Sequence, residues 1–198
     1  MTKLQLVTYP HPILRHKSKP IVRVDSELQA MVAQMFEIMY EFRGVGLAAN
    51  QVNLPLRLFV ANPTGEREEK DQELVFINPV LNKPKGSEES EEGCLSLPGI
   101  NAPVKRSKSL HVNAFDMRGQ EIQGEVSGFL ARIIQHETDH LDGVLFFDRL
   151  TDEMMRPLEE DLGKLERRFQ ESQSLNLIPS VAQIQTEIAG WEARYCHA

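Results

Sequence analysis

Residues 135–143 read QHETDHLDG. Inside them, His136-Glu137-Thr138-Asp139-His140 forms an HExxH. On a helix, positions i and i+4 lie one above the other on one face, so His136 and His140 present two imidazoles to one point. Glu137 stands next to them, within reach of a water polarised by a metal there. The alternative is two ordinary helical histidines with a charged neighbour. With 6 histidines in 198 residues, a shuffled chain produces the pattern in roughly 2% of cases. The motif alone therefore favours a metal site without deciding it. Its flanks add weight. From about Ser127 the stretch GFLARIIQHETDHL carries Phe129, Leu130, Ile133, Ile134 and Leu141 on several sides, the pattern of a buried helix. Buried imidazoles need partners, and a metal ion supplies one. Gly143 then ends the helix.

The whole chain sets the bounds. Its 198 residues suit one domain with an appendage, and its 41% apolar and 26% charged content is that of an ordinary globular protein. The net charge of −7 argues against a general binder of DNA or of anionic membranes. No apolar run suits a signal peptide or a membrane span, which predicts a cytoplasmic location. Two cysteines, Cys94 and Cys196, make no disulfide framework.

Along the chain, residues 8–24 read as an irregular arm. A helix is expected behind a Ser26…Gln29 capping box, with Leu28, Met31, Val32, Met35 and Met39 on its buried face, ending near Arg43. Residues 56–62 and 74–81 read as strands, with Pro79 confining the second to an edge or a bulge. Residues 84–92 read as a polar loop. Residues 109–115 and 120–126 read as a hairpin around DMRG. A second helix is expected over 152–172, with four basic and seven acidic residues, net −3. The domain reading is a catalytic unit over 1–150, the helix of 151–172 belonging to it, and a tail over 173–198. The tail is expected to hold a short helix near 184–195 whose Trp191 and Tyr195 signal packing against some surface, a second copy or a partner among the candidates.

A third ligand is sought elsewhere. EEGCLSLPG (91–99) holds Cys94, and Cys94, His136 and His140 would make a Cys-His₂ set with one open position, the pattern of a catalytic site. His11, His16, Cys196 and His197 lie outside any such cluster. GVGLAANQV (44–52) pairs two glycines, which allow close backbone approach, with Gln51, a neutral donor able to polarise a carbonyl oxygen. Taken alone, the segment reads better as a plain helix-to-strand turn.

GVGLAANQ, EGCLS and QHETDHLDG, in that order and spacing, resemble the peptide deformylases. The resemblance runs from YPHPILR to the end of the 152–172 helix and points to the bacterial class with a C-terminal helix. It implies an α+β fold, with antiparallel sheets packed around the HExxH helix. It implies a metal-dependent hydrolase that removes the formyl group from the formyl-methionine of nascent chains and releases formate. Carried over by position, Cys94, His136 and His140 would hold one divalent metal, and Glu137 would be the general base and acid. Gln51 and the backbone N–H of Leu95 would form the oxyanion hole. Gly46 would pair its backbone with the peptide. Val45 and Ile133 would line the methionine pocket, with Phe129 a further candidate. The resemblance implies ferrous iron, while the ligand types also admit Zn, Ni or Co. Transient ribosome contact occurs in some members through a basic C-terminal helix; here that helix is acidic. The sequence does not distinguish a monomer from a homodimer. Arg106 is a candidate partner for Glu92. Another amidase using HExxH would leave the other two motifs unexplained, and a non-catalytic binder would be expected to lack Glu137 or Gln51.

Overall fold

The computed structural model describes residues 3–196, so His197 lies outside the described residues. One antiparallel sheet has the order β1-β2-β3-β6-β7, with β1 at Gly46–Ala48, β2 at Leu58–Ala61, β3 at Leu74–Lys85, β6 at Ser109–Phe115 and β7 at Glu121–Ser127. A separate two-stranded ribbon joins β4 (Glu88–Cys94) to β5 (Leu97–Arg106). Helix α1 spans Ser26–Glu41 and α2, the HExxH helix, Gly128–Leu141. The α+β expectation holds.

Strands β1 and β2 are buried on both faces, and their period-2 alternation divides the core. Leu47, Leu58 and Val60 face α1, packing on Leu28, Met35 and Met39. Ala48, Phe59 and Ala61 face the other way, onto Ile133, Ile134 and Leu141 of α2. The sheet is thus held between two helices, which is why α2 is buried. A third cluster joins the ribbon, through Leu97, Ile100 and Val104, to Phe146, Phe147 and the C-terminal helices.

Several expectations need correcting. Helix α1 is capped by Asp25, whose carboxylate accepts the Leu28 N–H at 2.9 Å; a charge there also suits the positive end of the helix. Residues 84–92 are mostly strand: β3 runs through Lys85 and β4 begins at Glu88. Pro79 sits, as expected, at a bulge, where the β3–β6 register shifts between Ile77 and Val80. The helix expected over 152–172 is interrupted: α3 (Asp152–Met155) leads into a 3₁₀ turn at Arg156–Leu158, followed by α4 (Glu159–Ser174). Pro157 sits in that turn and lacks the N–H that a continuous helix would bond. At the end of α2, Gly143 has φ 74°, and a Cβ there would lie 2.6 Å from the Arg15 carbonyl oxygen.

The C-terminal segment folds back on its own chain. Helix α5 (Val181–Tyr195) buries Ile184 and Ile188 beside α4. Tyr195 is fully buried in the α1 core, and its hydroxyl donates to Asp25 at 2.9 Å. Cys196 forms an antiparallel bridge with Ile21. Trp191, expected to pack against some surface, packs against the same core. We predict that Tyr195→Ala lowers stability by about 3–5 kcal/mol. Tyr195→Phe should cost about 1 kcal/mol, the worth of one hydrogen bond. Urea unfolding with circular dichroism reads both, and equal, small losses would contradict this docking.

Candidate metal centre

The last turns of α2 carry His136 and Glu137 to the floor of a cleft of about 530 Å³, whose walls are β1 with the residues before it and the β4–β5 ribbon, with the buried His140 one turn further along the helix. Cys94 ends β4. The Cys94 sulfur and one nitrogen from each of His136 and His140 all lie within 4.8 Å of one another. The Cys94 Sγ and His140 Nε2 are 3.1 Å apart. A cysteine more than forty positions before the two histidines thus completes a metal-binding group with them, assembled because the ribbon folds over the end of α2.

The electrostatics suit a cation. His140 is buried, and burial, reinforced by the charges of His136 and Arg106, holds its pKa well below 6.5. It is therefore a neutral imidazole with a lone pair to offer. Burial would likewise lower His136, but hydrogen bonds with Cys94 and Glu92 outweigh it and push the ring up to about 10. Surroundings that favour a proton on His136 favour any cation in its place. His140 also lies in the last turn of α2, the negative end of the helix dipole.

A buried ionic cluster fixes His136. Its Nδ1 is 3.1 Å from Glu92 Oε2, which leaves Nε2 for the metal group. Glu92 also receives Arg106 at 2.9 and 2.8 Å and Arg132 at 2.6 Å. Burial alone would raise the Glu92 carboxyl; Arg106 and His136 reverse this and hold it far below the usual range. Arg106 continues to Asp139, which also binds Arg149. The Arg106–Glu92 pairing anticipated from sequence is present. Arg132 was not anticipated. The signal was there, since it lies one turn before His136 among Phe129, Leu130, Ile133 and Ile134, but an arginine on a helix reads first as solvated.

Glu137 is buried with no partner for its Oε2 among the described residues. Burial is the main reason its carboxyl is pushed up to about 7. Such a group takes and returns a proton near neutrality. Gly46 lies against it: a Cβ there would sit 2.5 Å from Glu137 Oε1. Gln51 is held in one orientation. Its Oε1 accepts the Ala48 N–H at 2.8 Å, so its Nε2 points to Ser96 Oγ (3.3 Å) and Cys94 Sγ (3.4 Å). Leu95 occupies the two-residue turn between β4 and β5. Val45, Ile133 and Phe129 line the cleft, Phe129 at its exposed rim.

This arrangement agrees with the comparisons. The family model of polypeptide deformylase matches residues 3–155. The peptide deformylase of Rhodopirellula baltica is 48% identical over 192 residues, covering 97% of this chain and 95% of that protein; that match reaches into the C-terminal segment. Peptide deformylase 1B of Arabidopsis thaliana, chloroplastic/mitochondrial, is 45% identical over 175 residues, 88% of this chain and 64% of that protein. The Arabidopsis thaliana enzyme in complex with an inhibitor superposes with a TM-score of 0.82 at 43% identity, covering 90% of this chain and 97% of that one. The Plasmodium falciparum enzyme gives 0.82 at 37% identity, with 85% and 98% covered. The metal-binding group, the sheet-and-helix frame and these similarities together show that the chain belongs to the polypeptide deformylase family, enzymes that remove the N-formyl group from nascent polypeptides.

Proposed function

We propose that the chain hydrolyses the formamide of formyl-methionyl peptides at the cleft floor, with Cys94, His136 and His140 holding one divalent metal, ferrous iron in its native state. The observation that carries this reading is the convergence of those three donors beside a buried carboxyl that titrates near 7. A bound metal supplies acidification of water, from a pKa of 15.7 to about 7, and polarisation of the carbonyl. The rest falls to the chain. Glu137 accepts the proton of water as its oxygen adds to the formyl carbon, then delivers it to the leaving amine as the C–N bond breaks, giving formate and a free N-terminus. The Gln51 amide, fixed by Ala48, donates to the developing oxyanion together with the Leu95 N–H, each worth about 3–4 kcal/mol. Gly46 pairs its backbone with the peptide. Val45 and Ile133 line the methionine pocket. Among the described residues no helix is long and apolar enough to cross a membrane; we place the reaction in the cytoplasm, on emerging chains.

Formate release from formyl-Met-Ala-Ser, by protein purified without oxygen and supplied with Fe(II), tests this directly. The parent is expected to turn over. Glu137→Ala should keep one metal per chain and lose about 10²–10⁴-fold in kcat. An active Glu137→Ala variant would remove Glu137 as the base, and a metal-loaded parent that releases no formate would overturn the reaction. Glu92→Gln should weaken metal affinity about 10–100-fold, because His136 loses its orienting carboxylate. Competition with a chelator measures it, and unchanged affinity would separate Glu92 from the site.

A further inference from the structure

We propose that Arg43 determines specificity beyond the methionine, favouring a carboxylate side chain at the third or fourth residue of the formylated peptide. This rests on the reading that Gly46 pairs with the substrate backbone. Strand β1 pairs only with β2, so its other edge is open to a peptide added as a strand. A chain whose first residue lies at Gly46 has two ways out. Toward Ala48 the protein is closed: Leu47, Ala48, Ala49 and Asn50 are all fully buried. Toward Arg43 the cleft continues: Gly44, although buried, lines it together with the half-buried Val45 and the exposed Arg43 and Phe42. The peptide therefore runs antiparallel to β1. In that register, at about 3.3 Å per residue, its third and fourth residues come level with positions 44 and 43.

Arg43 stands at that point as an anchored charge without a use. It lines the cleft and has no ion pair or hydrogen bond to its guanidinium among the described residues. By contrast, Arg57, Arg106, Arg132 and Arg149 each hold a carboxylate. Its backbone is fixed in the left-handed region at φ 58°. Its N–H donates to the Tyr40 carbonyl at 3.0 Å, and that of Gly44 to the Met39 carbonyl at 2.8 Å. Glu91 on the ribbon wall is the mouth's other exposed charge. It favours lysine, so the measured ratio decides between the two walls.

The test is kcat/KM for formate release from formyl-Met-Ala-Xaa-Xaa-amide, with Xaa as Asp, Ala or Lys, using the metal-loaded full chain at low salt. The Asp peptide is expected to exceed the Lys peptide about three- to tenfold, mostly through KM. Arg43→Glu should invert the ratio. Arg43→Asn, whose side chain tolerates the left-handed backbone, should bring it to within about twofold of unity. About 0.5 M NaCl should shrink it. An Asp/Lys ratio near or below one in the parent, or one unchanged in Arg43→Glu, overturns the proposal while the alanine peptide is still turned over. No formate from the alanine peptide overturns instead the deformylase reading on which it rests.

Discussion

The carboxylate of Glu92 is the constraint on which the site depends. It is buried, and it binds two guanidiniums and one imidazole. A charge so placed is tolerable only because every partner is present, and removing one from such a cluster typically costs about 3–5 kcal/mol. The partners come from two elements: Arg106 from the end of β5, Arg132 and His136 from successive turns of α2. The carboxylate therefore ties the ribbon to the helix. Cys94 lies two residues beyond Glu92 on the same strand, so the tie that orients His136 also sets the distance from sulfur to imidazole. Asp139, bridged by Arg106 and Arg149, extends the same clamp to the turn after α2.

The other wall depends on what is missing from a side chain. Gly46 lets the Glu137 carboxyl rest against the backbone of β1, at a separation that no Cβ permits. Because Glu137 is excluded from water there, its carboxyl is pushed up toward neutrality. One glycine on an open strand edge thus serves both the proton chemistry and, in the reading proposed here, the approach of the peptide. Gln51, three residues beyond Ala48, is locked by the backbone of that same segment.

The sequence was most legible where the chemistry is local. His136 and His140 are an i, i+4 pair, and helical geometry alone brings them together. Cys94 and Gln51 were candidates by residue type alone, but only the resemblance tied them to one site, because nothing in their own neighbourhoods says which way the ribbon folds. Strand β4 went unread since Glu88 to Glu91 are all exposed, and a strand without a buried face shows no alternation. The ribbon's second strand was missed behind its glycine and prolines. Asp25 displaced the expected capping box because two capping residues stand side by side and only tertiary context, including the Tyr195 hydroxyl, chooses between them. The aromatic residues of the C-terminal segment signalled packing, but its sparse apolar stripe did not reveal that the surface they cover belongs to the same chain.

X-ray absorption at the metal edge of the loaded protein reads the Cys-His₂ ligation itself. One ion per chain is expected, with one sulfur at about 2.3 Å and two imidazole nitrogens at about 2.0–2.1 Å if zinc is the metal used. The sulfur contribution should vanish in Cys94→Ser. A shell of nitrogen and oxygen alone in the parent, or a sulfur that survives the loss of Cys94, would contradict it.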